Sequence, residues 1–188
     1  MNVFNPYTSL QIMKYPLIFF FLLLTLGGCK KSVDVEAVYA QMQNGQTKCL
    51  VMLDNEPFYQ TDAVFKGNAT ARDNFFAMNF FNQYGGNYIF MFQEKGWYTM
   101  TSLKGGGDAS FSNFMFGRVL DPKKNKGAGY LMMKGKIEPL VISKAKIVFK
   151  ITGIAKRYPK VHEEDPSYDL EAFIIAKNIP FTEFVIPK

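Results

Sequence analysis

Apolar and polar residues alternate in short runs along most of the chain beyond residue 47. The cleanest run is Ala145–Ala155, where Ile147, Phe149 and Ile151 point one way and Lys146 and Lys150 the other. A period of two marks an antiparallel strand buried on one face. Lys48–Asp54 is an apolar run closed by the turn signal Asn55-Glu56-Pro57, and Asp62–Thr70 is a weaker one. Phe75–Asn82 sets Phe76, Met78 and Phe80 on one face, and Tyr84-Gly85-Gly86-Asn87 follows as a hairpin turn. Tyr88–Glu94 and Trp97–Leu103 are expected to pair through Lys95-Gly96. Ala109–Leu120 places Phe111, Met115 and Val119 opposite Phe114 and Phe116. Asp121–Gly129 reads as a lysine-rich loop, and Tyr130–Lys134 and Lys136–Ile142 as two short strands around Gly135. After a charged loop over Arg157–Ser167, Tyr168–Ala176 and Phe181–Ile186 complete the pattern. Strands this closely spaced, with no helices between them, predict an all-β antiparallel sandwich or barrel of about 8–10 strands. Phe75, Phe76, Phe80, Phe81, Phe90 and Phe92 exceed what one sheet face needs, which predicts burial on both faces or a lined cavity.

Ahead of the strands the period changes. Val35, Val38, Tyr39 and Met42 recur at helical spacing, with Ser32 or Asp34 to cap the start and Asn44-Gly45 to end it. The alternative for this stretch is an unstructured tether. Earlier still, Lys14 precedes Leu17–Leu26, an apolar run of about 10 residues, the length of a signal-peptide core and half of the roughly 20 needed to span a bilayer. Residues 1–12 are more polar than a signal start, so translation is expected to begin at Met13 as an alternative to Met1. The run closes on Leu26-Gly27-Gly28-Cys29.

Leu26-Gly27-Gly28-Cys29 resembles the lipobox of bacterial lipoproteins. The resemblance covers the leader, about a sixth of the chain. It implies cleavage between Gly28 and Cys29 and diacylglycerol on the Cys29 thiol, with acylation of the new amine. Two or three chains, each CH₂ worth ~0.8 kcal/mol, make such an anchor effectively permanent. In that family an Asp after the cysteine holds the protein at the inner membrane; Lys30 stands there here, so the outer membrane is favoured. The domain organisation that follows is a signal peptide over 1–28, an anchored tether with a short helix over 29–46, and one β-domain over 47–188. That domain is similar in pattern, and only in pattern, to small β-rich lipoproteins of Gram-negative envelopes.

Composition narrows the partners. The 188 residues carry a formal charge of +6, spread over lysine pairs rather than massed in one run. In an anchored envelope protein this charge points to anionic headgroups, an anionic envelope polymer or an acidic partner protein, and not to nucleic acid. With Cys29 consumed, Cys49 has no partner for a disulfide and is expected as a buried small hydrophobe.

Little chemistry is legible. His162-Glu163-Glu164-Asp165 holds the one histidine beside three carboxylates, too few nitrogen or sulfur donors for zinc and without calcium-loop spacing. Asp108, Asp121, Glu138 and Asp169 flank strands as turn residues do. Gly105-Gly106-Gly107 lacks the Lys and Ser/Thr of a phosphate loop, and no Gly-x-Ser-x-Gly elbow is present. Met91, Met100, Met115, Met132 and Met133 would suit copper if they converged, but serve ordinarily as core filler. The expected role is therefore non-enzymatic, with no cofactor or metal: contact with a partner protein or envelope component. A lipocalin-like carrier of an apolar ligand is the alternative.

Overall fold

The computed structural model describes residues 33–72, 75–93, 103–104, 113–158 and 164–185. From Val35 onward the chain forms one compact unit. It opens with helix α1 (Val35–Gln41), whose 3.6-residue stripe packs onto the sheet as the periodicity predicts. Strands β1 (Gln46–Leu53), β2 (Glu56–Pro57), β3 (Phe65–Arg72), β4 (Phe75–Asn82), β5 (Asn87–Gln93), β6 (Leu103–Lys104), β7 (Asn113–Asp121), β8 (Lys126–Ile142), β9 (Lys146–Tyr158), β10 (Ser167–Lys177) and β11 (Phe181–Phe184) follow.

Eight of them, in the order β3-β4-β5-β7-β8-β9-β10-β1, form an antiparallel up-and-down sheet that closes where Thr47 of β1 meets Phe65 of β3. The fold is thus a barrel rather than a sandwich. Beyond that seam β3 leaves β1, and β11 takes the vacated edge, running parallel to β3. One end of the barrel, here the lower, carries the α1–β1 turn, the 143–145 turn and the 178–180 crossing. The upper end carries the 54–64 connection, the β4–β5 hairpin and the β7–β8 turn.

An eight-stranded barrel is just wide enough for its own side chains to fill, or to hold one small ligand. Here Phe65, Phe76, Phe80, Tyr88, Phe90, Phe114, Phe116 and Phe149 all point inward with at most 1% of their surface accessible. Opposite them stand small residues: Ala69, Ala71, Ala155, Ala172 and Ala176. The outer positions read Lys66, Asn68 and Thr70 on β3 and Lys146, Lys150 and Lys156 on β9. Apolar inside and polar outside is the inverse of a membrane-spanning barrel, whose outer band must face lipid. No helix among the described residues is long and apolar enough to cross a membrane.

Several expectations are corrected. Tyr130–Lys134 and Lys136–Ile142 are not two strands but one, β8, which carries Gly135 at φ +154 and shifts register between Met132 and Lys134 and between Pro139 and Val141. The expected loop Asp121–Gly129 is a tight turn that ends at Asn125 (φ +50), after which Gly127, Ala128 and Gly129 already lie in β8. Asp121 Oδ1 accepts from Lys123 N at 3.0 Å and Lys124 N at 3.2 Å, so the carboxylate builds the turn itself. The phenylalanine surplus of β4 does not mark two buried faces, for Phe81 is 59% exposed. Two-sided burial occurs instead in β10, where Phe173 and Ile175 are buried on the side opposite Ala172 and Ile174 and α1 packs against the strand. The weak run Asp62–Thr70 becomes β3 only from Phe65. Trp97, the Lys95-Gly96 turn, Phe111 and Gly105–Gly107 lie outside the described residues, as does the leader with Gly28 and Cys29.

Candidate functional site: a closed interior and an open outer wall

The interior is continuous ring against ring. Phe149 lies 4.7 Å from Phe90 and 5.1 Å from Phe76 between ring centroids. Tyr88 stacks on Phe80 at 5.5 Å, and Phe114 on Phe116 at 5.0 Å. The upper mouth is closed by residues just past β2. Phe58 turns its edge to Phe116 at 5.1 Å and Tyr130 at 5.5 Å. The Arg118 guanidinium sits 4.7 Å over the Phe58 ring and donates to the Phe58 carbonyl. Tyr59 donates its hydroxyl to Asn87 O at 2.5 Å. Among the described residues, cap and core close the upper mouth of the barrel. Sequence reasoning places Phe58 and Tyr59 merely after a proline turn; two adjacent aromatics following a turn are the signal that marks the plug.

Near the seam the core is not wholly apolar. Thr47 Oγ1 and Tyr88 Oη are buried and face each other, too far apart for a normal hydrogen bond and with no other partner among the described residues, and Cys49, a free buried thiol, lies in the same face of β1. Burial pushes the Cys49 thiol and the Tyr59 and Tyr88 phenols well above their ordinary ranges. Cys49 is therefore inert, as its apolar run predicts. The native state keeps three protons that the unfolded chain releases, so these groups stabilise the fold fully at pH below the ordinary values of 9.0 and 10.0 and progressively less above them. Lys48, pushed down chiefly by burial, acts in the opposite sense as a single group. Stability measured by urea unfolding is expected to fall between pH 8 and pH 11, and to fall less in Cys49→Ala. A flat profile would show that the three groups ionise freely in the native state.

The outer wall offers more. Register aligns Phe81 with Asn87, Asn87 with Gly117, Gly117 with Gly129, and Gly129 with Tyr158. Five strands thus place one row on the outside: an aromatic, an asparagine, two glycines and an aromatic. Phe81 is 59% exposed and Tyr158 47%. They stand four strand spacings apart, about 19 Å along the wall. Between them the glycines leave a low floor, with the Asn87 side chain leaning over Gly117. Val119, 43% exposed, borders the floor above, beside Gly85 of the β4–β5 hairpin, and Leu120 is 52% exposed next to it. Lys66, level with Phe81 on β3, extends the row with a cation. These exposed apolar side chains are spaced along the wall rather than joined in one patch. None of it is legible without register, because Gly127-Ala128-Gly129 reads as loop.

The remaining candidate residues are not brought together among the described residues. His162 and Glu163 lie outside the described residues, and Glu164 and Asp165 join no group of potential metal ligands among the described ones. Glu138 pairs with Lys136, and Asp54 Oδ1 accepts from Asp169 N at 2.7 Å, latching β1 to β10. Met132 is buried in the core, while Met115 faces outward on the wall, so these two methionines do not converge. Comparison with family models, with curated proteins and with solved structures finds no match to the chain.

Proposed function

We propose that the protein is a lipoprotein of a bacterial envelope, anchored through Cys29 to the outer membrane, whose barrel binds a partner protein or envelope component and carries out no reaction. The observation that carries this reading is the contrast between inside and outside. The interior is filled by its own rings and capped by Phe58, while Phe81, Tyr158, Val119 and Leu120 stand exposed around a glycine floor. Exposed aromatic side chains such as Tyr158 are among those enriched in binding hot spots. The packed core weighs against the carrier alternative, which needs room for a ligand.

Two measurements test the reading. Cys29→Ser is expected to abolish incorporation of labelled palmitate and to release the protein from the membrane fraction. A photoreactive residue in place of Val119 is expected to give discrete crosslinked adducts in intact cells. Phe81→Ala with Tyr158→Ala should abolish those adducts while shifting stability by no more than about 0.5 kcal/mol for each exposed side chain. Adducts that persist in the double variant, or none at all, would remove the outer wall as the binding surface.

A further inference from the structure

The lower end of the barrel presents a second exposed apolar group, at the opposite end of the strands from the wall row. Leu140 is 52% exposed and Val141 37%, two residues of β8 at a register shift just before the 143–145 turn. Val185, 49% exposed, follows directly on β11. Lys144 is exposed between them, its ammonium 5.5 Å over the Phe184 ring, and Phe184 packs edge-on against Phe181 at 4.6 Å. An open groove of about 390 Å³ runs among Lys144, Asn178, Phe181 and Phe184. The nearby carboxylates are already engaged: Glu36 by Lys146 at 2.6 Å, and Glu183 by Arg72. Lys144 has no such carboxylate partner among the described residues.

The chain enters the domain at this same end. Helix α1 is fastened there by Tyr39, whose ring lies 4.5 Å from the Lys146 ammonium and 4.8 Å from that of Lys177, and whose hydroxyl donates to Ala145 O at 3.2 Å. Ala145 adjoins Lys144. From Cys29 to Val35 there are six residue steps, which reach at most about 21 Å when fully extended. Resting on the reading that Cys29 is acylated, we infer that the lower end of the barrel is seated on the bilayer to which the chain is tied. Leu140, Val141 and Val185 enter the boundary between headgroups and acyl chains, and Lys144 meets anionic headgroups. The occupant follows from two facts: the tether is too short to hold this end far from the membrane, and the surface combines apolar side chains with an exposed cation, as interfacial segments do. The arrangement leaves the Phe81–Tyr158 row facing away from the bilayer surface or along it, open to a partner.

The test uses the mature lipidated protein, reconstituted in vesicles of phosphatidylethanolamine and phosphatidylglycerol. Cys49 is buried and Cys29 is acylated on this reading, so a cysteine introduced at position 140, 185 or 120 takes an environment-sensitive fluorophore selectively. We expect blue-shifted emission on vesicle reconstitution for Leu140→Cys and Val185→Cys, and no shift for Leu120→Cys at the far end. Lys144→Glu should diminish the shift at position 140. Protein that floats with the vesicles while positions 140 and 185 report water overturns the seating and leaves the anchor standing. Protein that fails to float overturns both. A fluorophore shift equal at all three positions also overturns the seating, because contact would then not be confined to one end.

Discussion

Gly135→Ala is expected to destabilise the barrel by about 3–5 kcal/mol, the sum of overpacking and backbone strain. Gly135 lies at φ +154, a region that residues with a side chain rarely adopt. A Cβ there would strike the Thr152 carbonyl oxygen and the end of Met132, and would stand 2.7 Å from Gly153 Cα. Met132 is flexible and can give way; the β9 backbone cannot, because Gly153 is paired with Leu170 of β10 on its other side. Gly153 meets the same obstacle from across the pair, with Gly135 Cα 2.8 Å from its own would-be Cβ. The two glycines let β8 and β9 approach closely at a register shift in β8, and so hold the bend that closes the barrel. Gly127→Ala is the control. Its Cβ would find only Arg118 O, at 3.4 Å, and removal of a flexible glycine should leave stability within about 1 kcal/mol of the parent. Urea midpoints with unchanged slope decide the matter. A loss below about 1 kcal/mol at Gly135 would mean that the bend is not fixed by backbone contact.

The same pair of strands shows where sequence reading succeeds and where it stops. Ile147, Phe149 and Ile151 alternate with lysines, so their inward direction is legible in the local pattern alone, as is the face of Phe76, Met78 and Phe80. Alternation reports only one strand and its two faces. It holds no information on which strand lies next door, so it cannot separate barrel from sandwich; that distinction rests on Thr47 meeting Phe65. Glycine misleads for a related reason. At Gly135 and at Gly127–Gly129 it reads as punctuation, whereas in β8 it permits close approach and a bare outer wall. The plug at Phe58 and the row from Phe81 to Tyr158 are long-range juxtapositions of residues whose local sequence is ordinary. Their juxtaposition arises only when closure brings them together. Helix α1 is the opposite case: a seven-residue element with one stripe of apolar side chains, decided almost wholly by local period.

Phe149→Ala is expected to cost about 3–5 kcal/mol, the range for deleting a buried ring whose surroundings only partly collapse. Phe149 has no accessible surface and touches Phe76 and Phe90 across the middle of the barrel. Those neighbours sit on β4 and β5, which pair without a register shift, so collapse into the void is limited. The exposed Phe81→Ala provides the contrast, with stability within about 0.5 kcal/mol of the parent. The variant also separates the two functional readings. An apolar void of this kind stays dry and takes up benzene or xenon. Benzene is therefore expected to raise the unfolding temperature of Phe149→Ala, since a ligand that binds only the folded state stabilises it. It should leave the parent protein unchanged, because its rings already occupy the space. If benzene instead stabilises the parent as much as the variant, the native interior has room for a guest, and the carrier reading takes precedence over the outer-wall reading. If only the variant responds, the native interior is filled by its own rings, which favours the proposed outer-wall reading over the carrier reading.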